Sequence, residues 1–333
     1  MRKSSIKSSI SIGLILSFLI MLVSGCGAPS ATNKEVSTSN SVFLSVSDDS
    51  GKTITFDKYP TRVICFSSSY LNLLNAVDAN VIGKSSSKNI VPPDRYKDIP
   101  NVGPVTNINI EKVISLKPDC VVGIEGIHNK FEAILTQNHI KMIRLNGKTF
   151  TDVKRHLKIL GKVVGTEDKA QKAIDDMNVS VKETVANFNF KNLKIAILHA
   201  TAKYVTVELD SSIAGSIAKE INLNNIASQD LPISDKSDKT PFSLEALVER
   251  NPEILFITTM GNVEKIKTKF YENMKSNPAW NSLEAVKENN IVFLPENLFL
   301  INPGINYPEA VNYMAKEVIK EENKKWVIKN KMN

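Results

Sequence analysis

Apolar and polar positions along this chain follow two periods. Short, almost unbroken apolar runs recur within Arg62–Phe66, Asp119–Gly123, Lys194–Leu198 and Glu253–Thr258. Runs of that length, bounded by polar residues, are expected of strands covered on both faces. Further strands are predicted near Val81–Gly83, Lys141–Leu145, Tyr204–Glu208 and Asn290–Leu294. Between them the apolar spacing turns helical, predicting helices near Ser69–Val77, Ile108–Leu116, Asn129–Gln137, Ser211–Ile221, Ser243–Arg250, Val263–Met274 and Pro308–Ile319. A hairpin from about Val42 to Phe56, turning at Asp48-Asp49-Ser50-Gly51, precedes them. Strands alternating with helices imply parallel sheets with helices on both faces.

One unit of this pattern occurs twice. Asn109-Ile-Glu-Lys-Val-Ile-Ser-Leu-Lys-Pro-Asp-Cys120 and Ser243-Leu-Glu-Ala-Leu-Val-Glu-Arg-Asn-Pro-Glu-Ile254 align without a gap at an offset of 245 − 111 = 134. In each copy a polar residue can cap a short helix and a proline stops it. An apolar strand follows. A helix–Pro–strand unit recurring once implies two similar lobes. Between the copies, Val153, Leu157, Leu160, Val163 and Val164, then Ala170, Ala173, Ile174, Met177 and Val181, hold helical spacing from Thr149 to about Phe188. The expectation is one long helix joining the lobes, softened at Gly161 and Gly165.

The first residues read differently. Arg2, Lys3 and Lys7 precede an apolar stretch from about Ile10 to Val23, which ends in Leu22-Val23-Ser24-Gly25-Cys26. A basic head, a short apolar run and small residues form an export signal, and the run is short for a stable membrane span. Gly27–Ser41, rich in Ser, Thr, Asn and Ala, reads as a flexible tether. The predicted organisation is a signal at 1–25, a tether at 26–41, a first lobe at 42–148, a linking helix at 149–190, a second lobe at 191–322 and a tail at 323–333.

Composition narrows the class. Lys and Arg exceed Asp and Glu by 42 − 35 = 7, and the signal holds three of those cations. The rest are dispersed lysines without a basic, aromatic-interleaved stripe, so nucleic acid is not an expected partner. After Cys26 only Cys65 and Cys120 remain, both in apolar runs, which fits core thiols better than a bridge or a zinc pattern. Gly-x-Ser-x-Gly, His-Glu-x-x-His and a phosphate loop are all missing from the sequence, so the chain reads as a binding protein, not an enzyme.

Particular segments carry a family likeness. Leu22–Cys26 resembles a lipoprotein lipobox, which implies cleavage before Cys26 and lipid attachment to its sulfur. Tyr59-Pro60-Thr61-Arg62-Val63-Ile64, Val102-Gly103, Leu116-Lys117-Pro118-Asp119, Leu160-Gly161, Asn251-Pro252-Glu253 and Pro278-Ala279-Trp280 resemble, in that order, a class of solute-binding proteins. Its members have two α/β lobes joined by a single linking helix and serve ABC importers of heme, ferric siderophores and cobalamin. Pro92–Pro100 and Trp280–Val292 are similar to the Isd-type heme receptor lipoproteins in particular. The resemblance implies two parallel-sheet lobes with a ligand cleft between them and no intrinsic cofactor. The cargo would be an iron complex such as heme. The partners would be a permease with its ATPase and, through Cys26, the outer face of the cytoplasmic membrane. The chain is read as a monomer.

In open α/β sheets ligands bind beyond the carboxyl ends of the strands. The loops after the repeated strands, and those after the first strand of each lobe, are therefore expected to line the cleft. They offer Ser67, Ser68, Tyr70, His128, His199, Met260 and Gly261 as ligand-binding candidates. Met260 stands where the Isd-type pattern places an axial histidine, and Thr106 where it places an axial methionine. The resemblance thus implies Met260 as an iron ligand if the cargo is heme, since thioether and imidazole both serve heme iron. Relatives dock a permease through one glutamate on each lobe, and those places fall at Asn72 and Glu220.

Overall fold

The computed structural model describes residues 43–87, 90–188, 190, 192–235 and 237–331, with side chains described as far as Glu321. The predicted signal, the tether and Cys26 lie outside these residues. The described chain opens on an antiparallel hairpin, β1 (Leu44–Ser47) and β2 (Thr53–Phe56). The first lobe follows with β3 (Val63–Cys65), α1 (Leu71–Ala76), β4 (Val81–Ser86), β5 (Asn101–Pro104), α2 (Ile110–Ser115), β6 (Cys120–Ile124), α3 (Glu132–Gln137) and β7 (Lys141–Leu145). Its strands form one parallel sheet in the order β5-β4-β3-β6-β7.

Helices α4 (Phe150–Val164) and α5 (Glu167–Asn187) lead into the second lobe. There the elements are β8 (Lys194–Thr201), β9 (Val205–Glu208), α6 (Ile213–Glu220), β10 (Asn224–Asn225), β11 (Lys239–Pro241), α7 (Leu244–Arg250), β12 (Ile254–Met260), α8 (Val263–Ser276), α9 (Glu284–Lys287), β13 (Ile291–Phe293), α10 (Glu296–Phe299) and α11 (Tyr307–Lys331). This sheet is mixed where a parallel one was expected. β10, β12 and β13 join β8 in parallel, but β9 turns back from β8 as a hairpin and β11 pairs antiparallel with β9. In both lobes the strand order reverses at the first strand, β3 or β8, which puts a crevice at the carboxyl ends of its neighbours.

The repeat seen in the sequence is a structural repeat. α2 and α7 begin 244 − 110 = 134 residues apart, as do β6 and β12 at 254 − 120. The Asn109 side chain accepts the Lys112 amide and that of Ser243 accepts the Ala246 amide, so both helices are capped as expected. The motif around Pro118 is a staple. The Asp119 carboxylate accepts the backbone N–H groups of Thr61 (2.8 Å) and Arg62 (3.1 Å), and the Arg62 guanidinium donates to the carbonyls of Leu116 (2.7 Å) and Lys117 (3.0 Å). These bonds fasten the start of β3 to the start of β6. The family landmarks here hold the sheet together.

The linking segment is helical throughout but breaks once. Gly165 ends α4 at φ +73°, with the Tyr59 ring packed where a Cβ would stand, so a side chain is excluded on both counts. α4 folds back on the first lobe, against α1 and β1, and the 21-residue α5 makes the crossing, packed on α4 and α11. The first lobe therefore extends to about Gly165, beyond the expected boundary at 148. At the other end α11 runs unbroken past residue 322, where a separate tail was expected. One apolar core passes from β3 and β6 through α4 and α5 to α6 and α11. No helix among the described residues is long and apolar enough to cross a membrane. Cys65 and Cys120 are free, buried thiols.

Candidate functional site

The carboxyl ends of β3, β6, β8 and β12 carry the residues singled out in the sequence. The structure separates these residues into supports and exposed groups. Ser67 and Ser68 are nearly buried. Ser67 Oγ lies 2.8 Å from Ser69 Oγ, and Ser68 Oγ donates to the Ser85 carbonyl at 3.0 Å. Tyr70, a ligand-binding candidate, is 3% exposed and donates its hydroxyl to the Leu145 carbonyl at 2.9 Å. Burial also pushes its phenol pKa up. It is a strut between α1 and the end of β7, with no free ring face.

His128 is likewise removed from the ligand set. It is fully buried, accepts the Ile124 N–H at Nδ1 (2.8 Å) and faces the Val105 carbonyl from Nε2 (2.7 Å). An accepting Nδ1 fixes the tautomer, so Nε2–H is the donor and no lone pair remains for a metal. Burial holds the imidazole below its usual pKa, outweighing the bond to Val105, and Lys130 adds to the effect. The side chain ties the loop after β6 to the turn after β5. On that turn Thr106 is exposed, but only its hydroxyl and backbone are on offer.

His199 was expected in a loop and lies instead within β8, which runs on to Thr201. It is 4% exposed. Across the sheet, Thr258 donates its hydroxyl to Glu208 Oε1 at 2.5 Å, so the Thr258 oxygen is left to accept from His199 Nδ1 at 3.0 Å. Glu208 Oε1 is itself 3.5 Å from Nδ1. The arrangement makes Nδ1 the donor. Neither Glu208 nor Thr258 was singled out beforehand. The signal that could have found them is their place on the His199 face of neighbouring strands.

Met260 closes β12 and is 53% exposed. Its strand neighbour is Thr201, and the parity of the pairs puts Met260, Thr258, Thr201 and His199 on one sheet face. Gly261 follows at φ +129°, a conformation open only to glycine, and releases the chain into α8. A thioether is thus held at the outer end of a buried His–Thr–Glu row.

The lobes also meet away from α5. Lys148 pairs with Asp238 at 2.7 Å, and the Asn302 amide donates to the Gly147 carbonyl. Burial pushes the Asp238 pKa up, but the ammoniums of Lys148 and Lys239 outweigh it and hold the carboxyl below its usual range. The expected docking positions do not form a matched exposed pair. Asn72 is half-buried on α1. Glu220, also half-buried, ends α6 within electrostatic reach of Lys154 in the first lobe, and burial raises its pKa against the lowering by Lys154 and Lys219.

Comparison with known proteins agrees with this architecture. The high-affinity heme uptake system protein IsdE of Staphylococcus aureus strain Newman is 26% identical over 273 residues, which cover 81% of this chain and 89% of that protein. The crystal structure of an ABC transporter substrate-binding protein from Listeria monocytogenes EGD-e superposes with a TM-score of 0.68 at 23% identity, covering 78% of this chain and 98% of the other. That of S. aureus IsdE complexed with heme does so with a TM-score of 0.66 at 23% identity and the same coverage. The periplasmic binding protein family matches residues 63–298, well over half of the sequence. With two α/β lobes, a helical crossing between them and this match, the chain belongs to the periplasmic binding protein family.

Proposed function

We propose that this chain is the extracytoplasmic substrate-binding lipoprotein of an ABC importer, and that its cargo is an iron complex, heme in first place. The observation that carries the heme reading is Met260. A half-exposed thioether at the carboxyl end of β12 is a competent donor to heme iron. The curated heme-uptake relative, matched over most of its length, supports the same cargo. In this reading Met260 and Gly261 bound the ligand on the second lobe, Ser67, Ser68 and Tyr70 support the opposite rim, and His199 lies behind Met260. Lipid on Cys26 would hold the protein at the outer membrane face, and a permease with its ATPase would receive the cargo. Glu220 supports docking only weakly, because it faces the first lobe.

A ferric siderophore or cobalamin is the second reading, and one observation favours it. The first lobe offers a hydroxyl at Thr106 and a committed imidazole at His128, so neither supplies a second axial ligand. The test is titration of the purified protein with ferric heme, ferric siderophores and cobalamin in turn, followed by absorption. Saturable micromolar heme binding with shifted iron bands supports heme. Saturation by another member of the series with none by heme moves the cargo to that member, and silence toward all removes the class of ligand.

A further inference from the structure

The second-lobe sheet has a face that the cleft does not use. On β8, Ala196, Leu198 and Ala200 pack toward α8, whereas His199 stands on the other side and Thr201, at the strand end, enters the β8–β9 turn that borders the groove. Between the β8–β9 turn and α8 this outer face opens into a groove of about 520 Å³. That volume falls within the roughly 300–1,000 Å³ of small-molecule sites.

The groove is aromatic and cationic. Phe242 and Trp280 stack with centroids 5.9 Å apart and planes at 15°, and Phe270 meets Trp280 edge-on at 5.6 Å. Tyr204, 55% exposed, stands at the opposite wall. The turn that carries it is rigid, because Thr201 Oγ1 donates to the Tyr204 carbonyl and accepts the N–H groups of Lys203 and Tyr204. Lys269 reaches from α8 to the Ala202 carbonyl at 2.8 Å, which uses one of its three donors. Lys203 is exposed beside it, and among the described residues no acidic side chain lines the groove.

Trp280 and Phe270 are only 6% and 5% exposed, so the ring surface left free is that of Phe242 and Tyr204. Aromatic surface beside two ammoniums, with no carboxylate among the lining residues to neutralise them, is complementary to one chemical class. We propose that this groove is a second ligand site, independent of the cleft, for a planar aromatic anion such as a ring carboxylate or sulfonate. The ring lies against Phe242 and Tyr204, backed by the buried Trp280, and the anion is held by Lys203 and Lys269.

Naphthalene-1-sulfonate and its cationic counterpart 1-naphthylmethylammonium serve as probes of the full chain. The readout is the Trp280 indole N–H resonance, identified by its loss in Trp280→Phe. The sulfonate should shift it saturably, and the ammonium should bind at least tenfold more weakly. Lys203→Gln and Lys269→Gln should each weaken the sulfonate severalfold. Lys203→Gln removes a charge without touching the Lys269 strap, so its effect does not depend on an altered turn. Met260→Ala, on the far side of the sheet, should leave the affinity unchanged. No saturable shift, equal affinity for the two probes, unaltered affinity in both lysine variants, or loss of binding in Met260→Ala would each overturn the proposal.

Discussion

Phe150 and Tyr307 stack almost face to face across the two lobes, with ring centroids 4.9 Å apart and planes 18° from parallel. Phe150 opens α4 and Tyr307 opens α11, so the first helical residue after the first-lobe sheet sits on the first residue of the closing helix. The Tyr307 hydroxyl lies 2.7 Å from Ser216 Oγ on α6, and both rings are nearly buried. Together with Lys148–Asp238 and the core shared by α5 and α11, this keys the lobes at more than one point. Hinged closure needs a few loop residues free to change their backbone angles, and this seam offers few.

The lobes should accordingly move little on ligand binding. Solution scattering with and without saturating ligand is expected to give nearly the same radius of gyration, and a contraction of several ångströms would refute the rigid seam. Phe150→Ala should cost about 3–5 kcal/mol of stability, the usual range for deleting a buried aromatic ring. Urea unfolding measures that loss.

Met260 makes the cargo readable by spectroscopy. If heme is bound, Met260→Ala should weaken it tenfold or more and alter the iron's absorption bands, because a ligating sulfur is lost. Thr106→Ala should change neither. Identical spectra in wild type and Met260→Ala would exclude the thioether as a ligand while leaving heme binding itself intact.

His128 links stability to pH. Its imidazole is held below its usual pKa, so the unfolded chain binds the proton more readily than the folded one. The stability it supplies is present above the unfolded value of about 6.5 and is lost as pH falls from there through the folded pKa. His128→Ala should remove this acid-side loss and lower stability at neutral pH, because the Ile124 N–H and Val105 carbonyl lose a buried partner, at about 1–3 kcal/mol each. Unfolding free energy followed from pH 8 to 5 in both proteins tests the sign. A wild-type stability that rises on acidification over that range, with a flat variant, would contradict it.

Cys26 decides the proposed anchor. Cys26→Ser should leave the protein either in the medium or unprocessed with its first residues attached. Unchanged lipid labelling and membrane retention would remove the lipoprotein reading without affecting the ligand predictions.

Local physics was enough to place the repeated units. Capping residues, the prolines and the apolar runs act within a few residues of each other, so α2 with β6, and α7 with β12, begin where the aligned segments say they should. The same local signals brought the helical spacing to the crossing between lobes. They did not show where β8 and β12 stop. His199, Thr201, Thr258 and Thr259 interrupt the apolar run, and it is pairing with the neighbouring strand that carries both strands on to Thr201 and Met260. Nor did they show which candidates are supports. The partner of Tyr70 is 75 residues away, that of His128 is 23 away at Val105, and that of His199 is 59 away at Thr258. A buried polar side chain is satisfied by whatever the sheet order brings beside it. Whether an imidazole or a phenol binds a ligand or braces a loop is therefore settled by strand adjacency, which no stretch of sequence contains.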